Sequence, residues 1–149
     1  MTTVLIDLEG TLSNHDDRRN VMLLATRNDP RNRESWKTYY AGLPDDEPRD
    51  DVLFAVKRWI RKGCRVIVYS TRFINKYCHE EEWLRGHELY DHVELWQREQ
   101  YQTKIKGPDL VAEWVQELKP SIIVDDREEV RDKVSAISDA VVLGPEDFP

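Results

Sequence analysis

Three polar clusters, each closing an apolar run, carry residue types suited to chemistry on a phosphate ester. The first is Asp7-Leu8-Glu9-Gly10-Thr11, after Thr3-Val4-Leu5-Ile6. An aspartate such as Asp7 can attack phosphorus and form an aspartyl-phosphate that water later hydrolyses. Glu9 can protonate the leaving oxygen and then activate that water, and Gly10-Thr11 suits a tight turn with backbone N–H groups exposed. The second cluster, Ser70-Thr71-Arg72, closes Arg65-Val66-Ile67-Val68-Tyr69. It offers hydroxyls and a guanidinium fork to phosphoryl oxygens. The third, Asp125-Asp126, closes Ser121-Ile122-Ile123-Val124. Adjacent carboxylates after an apolar strand are costly unless a cation or donors satisfy them, and Mg²⁺ takes one or two carboxylates plus waters and a substrate phosphate. Helix capping by Asp126 ahead of Arg127-Glu128-Glu129 would account for one aspartate and not the other. Lys106, directly before Gly107-Pro108, stands where a helix begins and where an ammonium would offset charge on the phosphate and on Asp7. Lys104 is its rival.

Chemistry of this kind needs the clusters brought together. Short, continuous β-branched runs are the mark of strands buried on both faces, as in a parallel sheet under helices. Ligands then bind beyond the carboxyl ends of the strands, so all three clusters would meet at one edge. Further strands are expected over 92–96 and 140–143, and helices over 49–62, 108–118 and 127–137, with loop and helix over 73–90. Alternating elements predict an α/β, Rossmann-like, five-stranded parallel sheet flanked by helices, with right-handed crossovers. Residues 13–48 are polar and punctuated by Asp29-Pro30 and Gly42-Leu43-Pro44. Two short helices there, over 16–26 and 34–41, would make a small cap inserted after the first strand of a single domain spanning 1–149. Arg18, Arg19, Trp36, Tyr39 and Tyr40 could stack on a base and hold a phosphate, or the aromatic rings could simply pack the cap onto the body. His15 is read as a polar loop residue, and His79-Glu80-Glu81-Glu82 as a solvated helix face.

The 149 residues suffice for one core, and the net charge of −7 argues against a broad footprint on duplex nucleic acid while leaving room for a grip on one strand end. Cys64 and Cys78 fit no metal or redox spacing and are expected as buried thiols. The start lacks a basic region followed by an apolar stretch, and no apolar run approaches a membrane span. A protein of the cytoplasm is expected.

The order Asp7-Leu8-Glu9-Gly10-Thr11, Ser70-Thr71-Arg72, Lys106, Asp125-Asp126 resembles the four motifs of the haloacid dehalogenase superfamily of phosphatases. Arg18, Val68-Tyr69-Ser70-Thr71-Arg72, Gln97-Arg98-Glu99-Gln100 and Ile123-Val124-Asp125-Asp126-Arg127 are more specifically similar to the 3′-phosphatase domain of phage polynucleotide kinase-phosphatases. The resemblance implies a parallel sheet with the first strand between the second and fourth. It implies Asp7 as nucleophile and Mg²⁺ ligand, Glu9 in the acid/base place and also on the metal, and Asp125 and Asp126 on the metal. Ser70, Thr71 and Lys106 would bind the phosphoryl group, and Arg18 and Arg72 would grip the substrate. A phosphorylated nucleic-acid end is the implied substrate; free nucleotides or other small esters are the alternative. The family pattern has aspartate where this chain has the longer Glu9, so a form that binds phosphate and metal without turnover is a further reading. No Gly-x-x-x-x-Gly-Lys-Ser/Thr loop occurs in the sequence, so it carries no P-loop kinase of that type.

Overall fold

The computed structural model describes residues 1–73 and 78–149; the part of the expected 73–90 loop and helix at 74–77 lies outside the described residues. The strands are β1 (Thr3–Asp7), β2 (Arg65–Phe73), β3 (Glu94–Arg98), β4 (Ile122–Val124) and β5 (Val141–Leu143). They form one sheet in the order β3-β2-β1-β4-β5, with every pair parallel. The helices are α1 (Asp16–Ala25), α2 (Arg33–Ala41), α3 (Asp50–Arg61), α4 (His79–Gly86), α5 (Gly107–Leu118) and α6 (Glu128–Ile137). The expected α/β architecture is thus present, with β1 between β2 and β4 and two short helices inserted after β1.

Strand alternation divides the apolar runs between two cores. Val4, Ile6, Val66, Val68 and Val124 pack with Val52 and Val56 of α3 and with Trp83 and Leu84 of α4. Leu5, Ile67, Tyr69 and Ile123 face the other way, onto Leu110, Val111, Trp114 and Val115 of α5 and Val130 and Val134 of α6. A period of two on strands covered on both faces leaves no position polar, which is why these runs are continuously apolar. In α3 acidic Asp50 and Asp51 open the first turn and basic Arg58 and Arg61 close the last, matching the helix dipole.

Three expectations change in detail. β2 does not stop at Tyr69 but continues through Ser70, Thr71 and Arg72 to Phe73. Ser70 pairs with Gln97 and Phe73 with Arg98 across a register shift, and Arg98 Nε donates to the Thr71 carbonyl at 2.7 Å. Arg98 Nη1 also donates to the carbonyls of Gln102 and Ile105, so this buried guanidinium holds the polar end of β2 against β3 and the approach to α5. Cys78 is exposed rather than buried, because it precedes α4 in a left-handed conformation instead of lying within it; Cys64 is half-buried. Glu80 departs from a solvated face: it is 1% exposed, with Oε1 3.5 Å from Ser70 Oγ. Among the described residues no helix is long and apolar enough to cross a membrane.

Candidate active site

β1 delivers Asp7 to the carboxyl edge of the sheet, 5% exposed. The chain turns at once: Leu12 and Ser13 N–H groups return to the Leu8 carbonyl at 3.0 and 2.8 Å. Thr11 Oγ lies 3.0 Å from Asp7 Oδ2 and 3.1 Å from Asp126 Oδ1, and accepts the Asp126 N–H at 2.9 Å. One buried hydroxyl thereby links the first and third clusters. Gly10 makes the turn possible. Its φ is +86°, and a Cβ there would fall 2.7 Å from Asp126 Oδ2 and 2.8 Å from the His15 ring. Gly63 has a similar φ of +81° with nothing within 4 Å. Gly63→Ala should therefore cost only the backbone strain, about 1–2 kcal/mol in urea unfolding, whereas Gly10→Ala should cost that and also displace Asp126 and His15 from the site.

Asp7, Asp125 and Asp126 present ligand oxygens that all lie within 4.8 Å of one another. Burial, and then the neighbouring Asp125 and Asp126 carboxylates, push the Asp7 carboxyl well above its ordinary value, while Arg127 acts against them. Excess negative charge on hard oxygen donors is the electrostatic condition that a hard cation relieves. The three are not equivalent. Asp125 is fully buried: Oδ1 accepts Arg127 N at 2.8 Å and Nε at 3.1 Å, while Oδ2 accepts Arg127 Nη2 at 2.9 Å and the Tyr69 hydroxyl. Asp7 and Asp126 instead line a cavity of about 380 Å³ together with Glu9, His15, Arg19, Tyr39, Ser70, Thr71, Arg72 and Arg127. Capping by Asp126 is not what α6 uses: Arg127 occupies the N-cap, with no side-chain hydrogen bond.

Glu9, expected on the metal, stands apart from the cluster of three aspartates because its carboxylate is taken up by the cap and β2. Its Oε2 pairs with Arg18 Nη2 at 3.0 Å and with Arg72 Nη2, and its Oε1 accepts the Tyr39 hydroxyl at 2.9 Å. Arg18 is committed elsewhere as well. Nε and Nη2 grip Asp46 at 2.7 and 2.8 Å, and Nη1 bonds the Tyr39 carbonyl at 2.7 Å. Asp46 also receives Trp83 Nε1 on its carbonyl at 2.9 Å, so Arg18 ties α1 to the body beneath it. Arg72 lies over the Tyr40 ring at 4.1 Å and donates to the Tyr40 carbonyl at 3.3 Å. Burial lowers its guanidinium to about 10, with Glu80 and Asp7 opposing the shift, so Arg72 stays cationic at neutral pH. Of the cap aromatics, Tyr39 is buried and Tyr40 exposed, with Trp36 locked by its Nε1 on the Pro30 carbonyl at 2.9 Å.

Lys106 is the N-cap of α5; it is exposed and outside the cavity lining, as is Lys104. Among the described residues, the cation paired with Asp7 is Arg127, with Nη2 3.8 Å from Asp7 Oδ1 and Nη1 3.4 Å from Thr71 Oγ. Burial depresses its guanidinium, but Asp7 and Asp125 outweigh burial and hold it above its ordinary value. Arg127, His15, Tyr39 and Glu80 are the residues that motif order does not single out for a role in the site; only the Asp-Asp-Arg adjacency hinted at the first. Removing Arg127 would leave Asp125 buried and without its ion pair. Arg127→Ala should lower stability by about 3–5 kcal/mol in urea titration, and adding Asp125→Asn should recover much of that loss.

No protein-family model matches the sequence, and no curated protein matches it either. Solved structures do match. A chain of the Pnkp1/Rnl/Hen1 RNA repair complex superposes with a TM-score of 0.64 at 20% identity, over 96% of this chain and 43% of that one. This chain thus spans less than half the length of that relative. A haloacid dehalogenase-like family hydrolase from Streptococcus pneumoniae matches with a TM-score of 0.65 at 9% identity, over 99% of this chain and 96% of its own. A second hydrolase, from Streptococcus pneumoniae TIGR4, gives 0.56 at 13% identity over 95% and 90%. The chain has the fold of haloacid dehalogenase-like hydrolases and resembles in structure a chain of an RNA repair complex.

Proposed function

We propose that this chain is a Mg²⁺-dependent phosphomonoesterase that removes the 3′-phosphate from a nucleic-acid end through an aspartyl-phosphate on Asp7. The observation that carries the reading is Asp7 itself: a buried carboxylate at the carboxyl end of the central strand, facing a cavity that also presents Asp126, Arg72 and Arg127. Asp7, Asp126 and, behind them, Asp125 would hold the cation, which when bound neutralises charge on the phosphoryl oxygens and on Asp7. A carboxylate oxygen of Asp7 attacks phosphorus in line, and the bond from phosphorus to the ester oxygen breaks. Glu9 gives that oxygen a proton. Glu9 then takes a proton from water as it attacks the aspartyl-phosphate, and cleavage of the bond to Asp7 releases inorganic phosphate and restores the carboxylate. Ser70 and Thr71 receive phosphoryl oxygens, with Arg72 and Arg127 supplying fixed positive charge. A Cβ at Gly107 would fall 3.3 Å from Arg127 Nη1 and 3.7 Å from Thr71 Oγ, so Lys106, the preceding residue, would reach the phosphoryl group only from the rim of the site. Arg18 serves the substrate indirectly, by fixing Glu9 and the cap. A cytoplasmic repair role, on a chain folded as one domain, accompanies this reading.

The test is phosphate release, with and without Mg²⁺, from a 3′-phosphorylated oligonucleotide beside free 3′- and 5′-mononucleotides, with Asp7→Asn as blank. Release from the oligonucleotide that needs both metal and Asp7 is the expected result. Release from mononucleotides alone would replace end repair with nucleotide hydrolysis, and binding of phosphate without release would leave a non-catalytic member.

A further inference from the structure

Glu is one methylene longer than the aspartate of the family pattern, and each added rotor widens the space its carboxylate can sample. General acid catalysis tolerates little of that freedom, since about 1 Å of misplacement can cost on the order of 100-fold in rate. In this chain three elements converge on the Glu9 carboxylate. Arg18 comes from α1, Arg72 from β2 and Tyr39 from α2. The two guanidiniums share Oε2, which leaves Oε1 as the oxygen that can exchange a proton with the ester. The hydroxyl of Tyr39 sits 2.9 Å from that oxygen, and its other neighbour is His15 Nδ1 at 3.1 Å. A phenol has one proton. If it goes to Glu9, His15 must donate from Nδ1 to the Tyr39 oxygen, so the direction of the chain is His15 to Tyr39 to Glu9. Within the closed cap the Tyr39 ring is held by Arg18, stacked on it at 4.5 Å, and by Trp36, edge-on at 6.0 Å.

We infer that Tyr39, oriented by His15, is the positioning residue that aims Glu9 Oε1 at the leaving oxygen. The cap thereby takes part in the chemical step, and the longer acid is accommodated by a donor that reaches it from α2. The inference rests on the phosphatase reading above.

A double-mutant cycle with steady-state kinetics on the 3′-phosphorylated oligonucleotide tests it. Tyr39→Phe keeps the ring and removes only the hydroxyl. It should lower kcat about 10- to 100-fold at unchanged KM in the parent protein, and by less than about 2-fold in Glu9→Gln, where there is no acid left to aim. His15→Asn, which offers an amide N–H near the Nδ1 position, should retain most of the rate that His15→Ala loses. Thermal melting of Tyr39→Phe close to the parent would separate this from unfolding. Equal losses from Tyr39→Phe in both backgrounds, or a loss confined to KM, would overturn the positioning role while leaving the phosphatase intact. A parent protein with no Asp7-dependent release would overturn both.

Discussion

Asp7→Asn should abolish phosphate release, by at least about 10⁴-fold, and at the same time raise the melting temperature of the cation-free protein. The two effects have one origin. Asp7 is 5% exposed, and its carboxyl is pushed up first by burial and then by Asp125 and Asp126. The charge that the proposed nucleophilic role requires is therefore one that the fold opposes. An asparagine keeps the shape and can still accept from Thr11 Oγ, which lies 3.0 Å away, while the repulsion disappears. Calorimetry in chelator at pH 8, beside a phosphate-release assay in Mg²⁺, reads both quantities. A variant that lost activity and melted lower would show that Asp7 holds the fold together instead of straining it.

The second large effect is that of the cation on stability, and pH sets its size. A carboxyl whose folded-state value is raised contributes stability that is fully present below its ordinary value near 3.8 and is lost as pH rises through the raised value. Cation-free protein should accordingly lose stability as pH climbs through and above the usual carboxylate range. Mg²⁺ at about 100 times its dissociation constant adds about 2.7 kcal/mol, or about 5–10 °C for a chain of this size. Because protons and cation compete for the same oxygens, the gain should be large at pH 8 and shrink towards pH 5. Asp126→Asn should remove most of it. Equal stabilisation at both pH values, or in Asp126→Asn, would place the cation away from this cluster.

How far these residues can be read from the chain alone depends on what positions each of them. Asp7, Ser70 and Asp125 are legible because each ends a β-branched run, and parallel strands share an edge; the local pattern and the global placement are the same fact. Arg127 is not legible in that way. Its role comes from Asp125, which turns the guanidinium back across β4 towards β1, and no spacing announces such a fold-back. Lys106 drew attention by its place before a helix, while among the described residues the guanidinium paired with Asp7 is that of Arg127. Glu80 looked solvated within an acidic run because only the packing of α4 beneath β2 buries one of three glutamates. His15 and Tyr39 are separated by 24 residues and meet only because α1 and α2 fold over the same loop.

β1 lies in the middle of the sheet with both faces covered, whereas α1 buries only Met22 and leaves Val21 and Leu24 well exposed. Amide exchange should therefore find two units: β1 exchanging only through global unfolding, and α1, held to the body chiefly by the Arg18–Asp46 pair, at a lower opening free energy. If the chain acts on a phosphorylated end as proposed, release of α1 and α2 would admit it while Asp7 stays in place. Each release also lets go of Glu9, through Arg18 and Tyr39. On the phosphatase reading, access and acid placement would then be a single equilibrium, with turnover confined to the closed form.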